Sequence, residues 1–179
     1  MKFSSQTITR FIFIFFILVG KSYNSIAADP CLLVPVSLQD KVIKSTLIVE
    51  GKVISSTSYW NSSHTLIYTL NHVKVFKVFK GISLPTEIEI ITEGGRVGLD
   101  IMEYTSLLSL TAGREGIFFC TPSLIKSGQR TDLVQTPVYK IYSSLQGFVE
   151  YNRDDMTASV PFHNYPDIIN SLYSEIVAL

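Results

Sequence analysis

Residues 65–81 read TLIYTLNHVKVFKVFKG, and their apolar pattern is the strongest indication of the fold. Its apolar side chains share one face of an extended strand up to Leu70, change to the other face at Val73, and return to the first at Phe76. A change of face by one residue is what a β-bulge produces. The pattern predicts one long, bulged strand over residues 65–79, coiled enough to serve two parts of a small barrel.

The lysines of the same stretch allow two interpretations. Lys74, Lys77 and Lys80 alternate with apolar residues, so they could form a basic patch for a charged partner. They could instead be the solvated face of a half-buried strand, where lysine also discourages unwanted edge pairing. We favour the second interpretation, because charges on a pleated surface usually do no more than solvate it.

The N-terminal 28 residues have the pattern of a secretory signal peptide. Lys2 and Arg10 form a basic segment, residues 11–19 are an unbroken apolar run, and residues 25–28 (Ser-Ile-Ala-Ala) supply small side chains for cleavage. A membrane anchor is the alternative, but the apolar run is much shorter than the ~20 residues that span a bilayer. We predict cleavage after Ala27 or Ala28, and a secreted, periplasmic or cell-surface location.

The charge balance argues against one class of partner. Residues 1–28 contain three of the 15 basic residues and none of the 15 acidic ones, so residues 29–179 carry a net charge of −3. Nucleic-acid-binding domains present a strongly basic face. We therefore predict one domain over residues 29–179, with an unknown protein partner, no nucleic acid and no membrane span once the leader is removed.

Cys31 and Cys120 are the two cysteines of the chain, and both follow the predicted leader. Export to an oxidising compartment makes a disulfide between them the default prediction. In the chain-entropy model a loop of this length would contribute about 4–5 kcal/mol. Two free thiols, or one nucleophilic cysteine, are the alternatives, but the local sequence shows no base or orienting group for a nucleophile.

The remaining pattern predicts a mainly β domain with a helix near each end. Residues 37–44 predict a short helix capped by Ser37, and Ile168, Leu172 and Ile176 repeat at helical spacing near the C-terminus. Gly51 marks a bulge or bend in the first strand. The predicted strands cover residues 47–55, 65–79, 87–92, 117–120, 133–142 and 145–151. This order favours a small closed Greek-key barrel of the OB type.

Two predicted loops are candidate binding sites. Tyr59 and Trp60 lie near the tip of a polar loop over residues 55–64, where exposed aromatic side chains would anchor an interface or would instead pack back on the barrel. Gly95-Arg96-Val97 belongs to a glycine-rich loop over residues 93–98. No Lys-Ser/Thr pair and no helix follow it, so it is not a phosphate loop, and positive φ in a tight turn explains its glycines.

A set of short motifs follows the chain in order from Cys31 to Gly116. They are Cys31 with Pro35 to Gln39, Gly51 to Ser55, Ile67 to Leu70, Val78 to Gly81, Ile90 to Thr92, Val97 to Leu99, and Leu110 to Gly116. This succession resembles the netrin-like OB-fold domain of the tissue inhibitors of metalloproteinases and its bacterial secreted relatives. The resemblance covers roughly residues 31–125 and implies an OB-type barrel that binds a protein such as a protease.

The resemblance assigns a structural role to Cys31. In the animal inhibitors the first residue is a cysteine whose amine and carbonyl chelate the zinc of the protease. Here cleavage after Ala27 or Ala28 would leave Cys31 inside the chain, and Leu33 stands where the family has a second cysteine. Cys31 therefore matches as a disulfide partner and not as a zinc ligand.

The sequence contains no signature of a catalytic or metal site. His64, His72 and His163 are scattered, and neither His-Glu-x-x-His nor Gly-x-Ser-x-Gly occurs. We predict a secreted, non-enzymatic module without cofactor or metal, which binds a protein or mediates adhesion. An inhibitor of metalloproteinases is the alternative, and an uncharacterised secreted enzyme is a second alternative.

Overall fold

The computed structural model describes residues 33–125 and 137–179. The predicted signal peptide, Cys31 and residues 133–136 of a predicted strand lie outside the described residues. The elements are α1 (Leu38–Lys44), β1 (Leu47–Trp60), β2 (Ile67–Lys80), β3 (Glu87–Glu93), β4 (Gly95–Val97), β5 (Asp100–Met102), β6 (Glu115–Pro122), β7 (Val138–Ile141), a 3-10 turn (Ser144–Gly147), β8 (Phe148–Asn152), β9 (Thr157–Val160), β10 (His163–Tyr165), a π-helical turn (Ile168–Tyr173) and α2 (Ser174–Ala178).

Strands β1, β2, β3, β7 and β6 close into a barrel in that order, and β6 pairs back with β1. Neighbouring strands are antiparallel, except that β3 and β7 pair in parallel through Glu89 with Val138 and Ile90 with Tyr139. Strands β8, β9 and β10 extend the sheet from β6. The predicted fold class, a mainly β OB-type Greek-key barrel with a helix near each end, is confirmed.

The long β1–β2 pair coils because its register shifts three times, after Ile48, Glu50 and Val53. The extra residues are Ile54 on β1, and Phe76 and Phe79 on β2. The predicted bulges near Gly51, Phe76 and Asn71-His72 are therefore confirmed, although the last one carries its extra residue on β1. Gly51 permits the bend, since an added Cβ would lie 2.5 Å from the carbonyl oxygen of Lys74.

Two cores lie on opposite faces of β6. Phe118 and Cys120 point into the barrel interior, whereas Ile117 and Phe119 point outward to a second core. The second core is completed by the C-terminal helical segment, whose Ile168, Leu172 and Ile176 are buried as predicted. Burial on both faces explains why residues 117–120 are an unbroken apolar run.

The lysines of β2 serve the outer face of the barrel. Lys74 and Lys77 are exposed, and the Lys77 Nζ lies 4.2 Å from the ring centroid of Tyr173 on the C-terminal segment. Lys80 Nζ donates hydrogen bonds to the carbonyl oxygens of Val42 (2.7 Å) and Ile43 (3.3 Å). Lys80 therefore satisfies carbonyl groups at the C-terminal end of α1.

Several predicted boundaries are wrong. Strand β1 continues to Trp60, so the polar loop predicted over residues 55–64 is in fact strand followed by a short turn. The hydroxyl groups of Ser56 and Ser58 bond the side chains of Asn71 and Thr69 on β2, so the polar composition of this segment did not mark a loop. Residues 145–147 belong to the 3-10 turn, the next strand begins at Phe148, and the β9–β10 hairpin was not predicted.

Candidate functional site

The two sets of predicted site residues lie at the same end of the barrel. The turn between β1 and β2 is held by Asn61, whose Oδ1 accepts hydrogen bonds from the backbone N–H groups of Thr65 (2.8 Å) and Leu66 (3.2 Å). Strand β4 crosses the adjoining part of β1, where the backbone N–H of Arg96 donates to Ser58 Oγ at 3.3 Å. The hairpin formed by β4 and β5 therefore covers the turn end of the β1–β2 pair.

Tyr59 packs on the barrel and does not project from a loop. It is 6% exposed and contacts Leu70 and Ile91. Burial raises the pKa of its phenol, and the hydroxyl has no hydrogen-bond partner. Tyr59 therefore packs back on the barrel, which is the second of the two roles that the sequence left open for it.

Trp60 is half-buried at the last position of β1. Its indole stacks on the imidazole of His64, with ring centroids 6.1 Å apart and an interplanar angle of 26°. His64 adopts a positive φ of 54° in the turn, which places its ring against the indole. Trp60 therefore offers a partly accessible, pre-positioned aromatic surface at this end of the barrel.

The glycines before β4 allow its close approach to the barrel. Gly94 and Gly95 have positive φ values of 92° and 135°, as the sequence predicts for this loop. A Cβ on Gly95 would lie 2.3 Å from the hydroxyl oxygens of both Ser58 and Thr69. The predicted loop over residues 93–98 is wrong in one respect, because Gly95, Arg96 and Val97 form a short strand that pairs with β5.

The β4–β5 hairpin exposes apolar side chains that the sequence analysis missed. Leu99 at its turn is 96% exposed, Ile101 on β5 is 54% exposed, and Tyr104 just beyond β5 is 43% exposed. The sequence did contain a signal for these exposed residues, because Leu99 and Ile101 alternate directly after a glycine-rich turn. We call these three residues the hairpin patch. Exposed charged residues surround it: acidic Glu93, Asp100 and Glu103, and basic Arg96.

A cavity of about 390 Å³ lies next to the hairpin patch, between the barrel end and the segment that leads from β5 to β6. Its size falls in the lower part of the range for ligand pockets. Its walls combine apolar and polar groups. They include Met102, Leu107, Leu108, Leu110, Thr69, Thr92, Glu93 and Tyr104.

Asn71 organises the polar interior at this end of the barrel. It is fully buried, and its Nδ2 donates to Ile90 O and Thr92 Oγ1, both at 3.1 Å. Its Oδ1 accepts from Ser56 Oγ at 2.7 Å. Thr69 Oγ1 donates to Gly94 O at 2.6 Å. These bonds fix the ends of β1, β2 and β3, and so fix the base on which the hairpin rests.

In the described part of the chain, Glu50, Glu115, Arg153, Tyr151 and Tyr173 form a cluster of ion pairs and hydrogen bonds, and none of them lines the cavity. Cys120 is fully buried, and burial raises the pKa of its thiol, which opposes thiolate chemistry. His72 Nδ1 lies 3.7 Å from buried Glu89 on the outer face of β2 and β3. Over residues 33–125 and 137–179, His, Cys, Asp and Glu form no group of three or more that could hold a metal ion.

The sequence matches no protein-family model, and no curated protein matches it significantly. Within the described part of the chain, no helix is both long and apolar enough to cross a membrane. The described residues define a small OB-type barrel whose most distinctive surface is the hairpin patch and its adjoining cavity.

Proposed function

We propose that the chain is an exported, non-catalytic module that binds a protein partner through the hairpin patch. The observation that carries the proposal is the exposure of Leu99, Ile101 and Tyr104 within six residues of chain. Burying one such side chain contributes about 1.5–3 kcal/mol. An apolar patch of this kind, with an aromatic residue and a polar rim, is typical of a protein interface.

The charges around the hairpin patch specify the chemistry of the partner. Among the described residues, Glu93, Asp100 and Glu103 are exposed beside it, against one exposed base, Arg96. An acidic rim repels anionic lipid and nucleic acid and attracts a basic surface. The partner therefore presents an apolar segment flanked by Lys or Arg, and Trp60 and the 390 Å³ cavity are available to side chains at the edge of the contact.

A matched pair of variants tests this proposal. Wild type, Leu99→Ser/Ile101→Ser and Ile82→Ser/Leu84→Ser are used to capture proteins from the native secretome. Both double variants replace two exposed aliphatic residues, but Ile82 and Leu84 lie in the β2–β3 turn, away from the hairpin. The proposal is supported if a partner binds wild type and the control variant equally but binds the hairpin variant at least about tenfold more weakly.

Equal binding by both variants refutes the assignment of the surface. If the native secretome yields no protein that distinguishes them, the proposed function is wrong. Trp60→Ala, measured with the same partner, tests the edge of the site. Unchanged affinity of this variant would remove Trp60 from the contact.

Inhibition of a zinc protease is a second candidate function. The segment before α1 is fixed on the barrel, because the Gln146 side chain accepts from Val36 N (2.7 Å) and donates to Val34 O (2.9 Å). A positioned N-terminal segment is what an inhibitor of the kind suggested by the sequence resemblance would use. Incubation with a panel of zinc proteases tests this, and absence of inhibition at micromolar concentrations rejects it.

A further inference from the structure

The turn between β2 and β3 carries the most exposed aliphatic side chain of the described residues. Ile82 is 109% exposed and Leu84 is 84% exposed, so neither side chain packs on the barrel. Both belong to the short connection from Gly81 to Thr86, which includes Pro85. We call Ile82 and Leu84 the turn tip. The proposed protein-binding surface does not use it.

Basic residues surround the turn tip. Lys80 ends β2, and its Nζ reaches the carbonyl oxygens of Val42 and Ile43, so the end of α1 lies beside the turn. The turn also approaches the start of β1, since a Cβ on Gly81 would lie 2.7 Å from Leu47 Cδ1. Lys44 at the end of α1 and Lys77 on β2 are both exposed. Ile43, 59% exposed, adds a third aliphatic side chain.

Among the described residues, acidic groups near the turn tip are few. Glu87 at the start of β3 is exposed, and it is paired across the strands with Lys74. Asp40 lies in the first turn of α1 and is hydrogen-bonded to Ser37. The surface closest to Ile82 and Leu84 is therefore aliphatic with an excess of lysine, unlike the acidic rim of the hairpin patch.

We propose that the turn tip inserts into the surface of an anionic lipid membrane, with exposed Lys44 against the headgroups and the positive charges of Lys77 and Lys80 adding to the attraction. Aliphatic side chains gain free energy by leaving water for the acyl boundary, and each lysine near an anionic surface adds to the attraction. A protein partner fits this composition less well. Lysine is depleted in protein interfaces, and the turn from Gly81 to Thr86 contains none of the aromatic and arginine side chains that dominate them.

Tryptophan fluorescence tests insertion at the turn tip itself. Trp60 is the single native tryptophan, so Leu84→Trp/Trp60→Phe places one reporter in the turn. Leu99→Trp/Trp60→Phe places it in the hairpin patch as a matched control. On vesicles of phosphatidylcholine and phosphatidylglycerol, the turn reporter shifts to the blue and is quenched by brominated lipid, whereas the hairpin reporter is unchanged.

Binding measurements with the same vesicles give the magnitude. Ile82→Ser/Leu84→Ser weakens binding by at least about tenfold, and Lys44→Gln weakens it by about fivefold. Raising the salt concentration also weakens vesicle binding, because salt screens the attraction between the lysines and the anionic headgroups. Leu99→Ser/Ile101→Ser binds as wild type does. The full chain is used throughout, and every comparison is between variants that share the same N-terminus.

Three results would each overturn the proposal. The first is an unshifted spectrum of the turn reporter on anionic vesicles. The second is equal vesicle binding by wild type and by Ile82→Ser/Leu84→Ser. The third is loss of a purified protein partner, rather than of vesicles, in that double variant, which would make the turn tip a protein-binding surface.

Discussion

Replacement of Asn71 tests how the polar end of the barrel is held together. Asn71 is fully buried and donates through Nδ2 to Ile90 O, to Thr92 Oγ1 and, at 3.3 Å, to Thr69 O. Asn71→Ala removes these donors and leaves their buried acceptors without the bonds. Each buried polar group left unsatisfied costs about 1–3 kcal/mol, so the free energy of unfolding should fall by about 2–4 kcal/mol.

Urea unfolding followed by circular dichroism measures this loss. With a slope of about 2 kcal/mol/M, a loss of 3 kcal/mol lowers the midpoint by roughly 1.5 M. Asn164→Ala is the matched control, because Asn164 is exposed on β10, and its free energy of unfolding should change by less than about 0.5 kcal/mol.

A second variant separates the donor role from loss of volume. Asn71→Asp keeps the size of the side chain but places a carboxylate against the carbonyl oxygens of Ile90 and Thr69. It should therefore be less stable than Asn71→Ala at neutral pH. Asn71→Asp as stable as Asn71→Ala, or Asn71→Ala no less stable than Asn164→Ala, would refute the role assigned to the amide.

Three further predictions concern packing, the disulfide and pH. Gly116→Ala should lower the melting temperature sharply in a thermal scan, because the new Cβ would lie 2.0 Å from the carbonyl oxygen of Val149, and the backbone must move at a cost of about 1–3 kcal/mol or more. Peptide mapping without reductant should recover Cys31 joined to Cys120, and reductant should lower the urea midpoint; two alkylatable thiols after unfolding without reductant would exclude the bridge. Burial and a hydrogen bond to Glu50 raise the pKa of Tyr173 to about 12. An unfolded phenol ionises near pH 10, so the stability that Tyr173 contributes is complete below about pH 10 and is lost as the pH rises toward 12; Tyr173→Phe should unfold with a shallower pH dependence in that window, and an identical dependence would contradict the assignment.

The sequence predicted the barrel where burial imposes a periodic pattern. The parity changes at Val73 and Phe76 report bulges because each face of β2 meets a different environment. The unbroken apolar run Ile117–Cys120 reports a strand between two cores. Ser37 marks the start of α1 because its hydroxyl accepts the backbone N–H of Asp40, at 3.0 Å.

The missed features are those in which polar side chains bond one another across strands or apolar side chains face solvent. Ser56 and Ser58 look like loop residues until Asn71 and Thr69 are known to lie opposite them. Leu99 and Ile101 look like core residues of a short strand, whereas the hairpin holds them in solvent. Hydrophobic periodicity assumes apolar side chains inside and polar ones outside, so it fails at the barrel end that forms the candidate site.

The two proposed surfaces lie at opposite ends of one strand, and their charges differ in sign. Strand β2 has 14 residues and runs from the hairpin patch end at Ile67 to the turn tip end at Lys80. At about 3.3 Å per residue it spans roughly 40 Å, less the shortening due to coiling. This distance is several times the Debye length of about 8 Å at physiological salt. The lysines near the turn tip therefore do not neutralise the acidic residues around the hairpin patch. A chain held on anionic lipid by Ile82 and Leu84 would keep Leu99 and Ile101 near the opposite end of β2, away from the inserted turn. Lipid binding and partner binding are then independent, and each double variant should weaken one without changing the other.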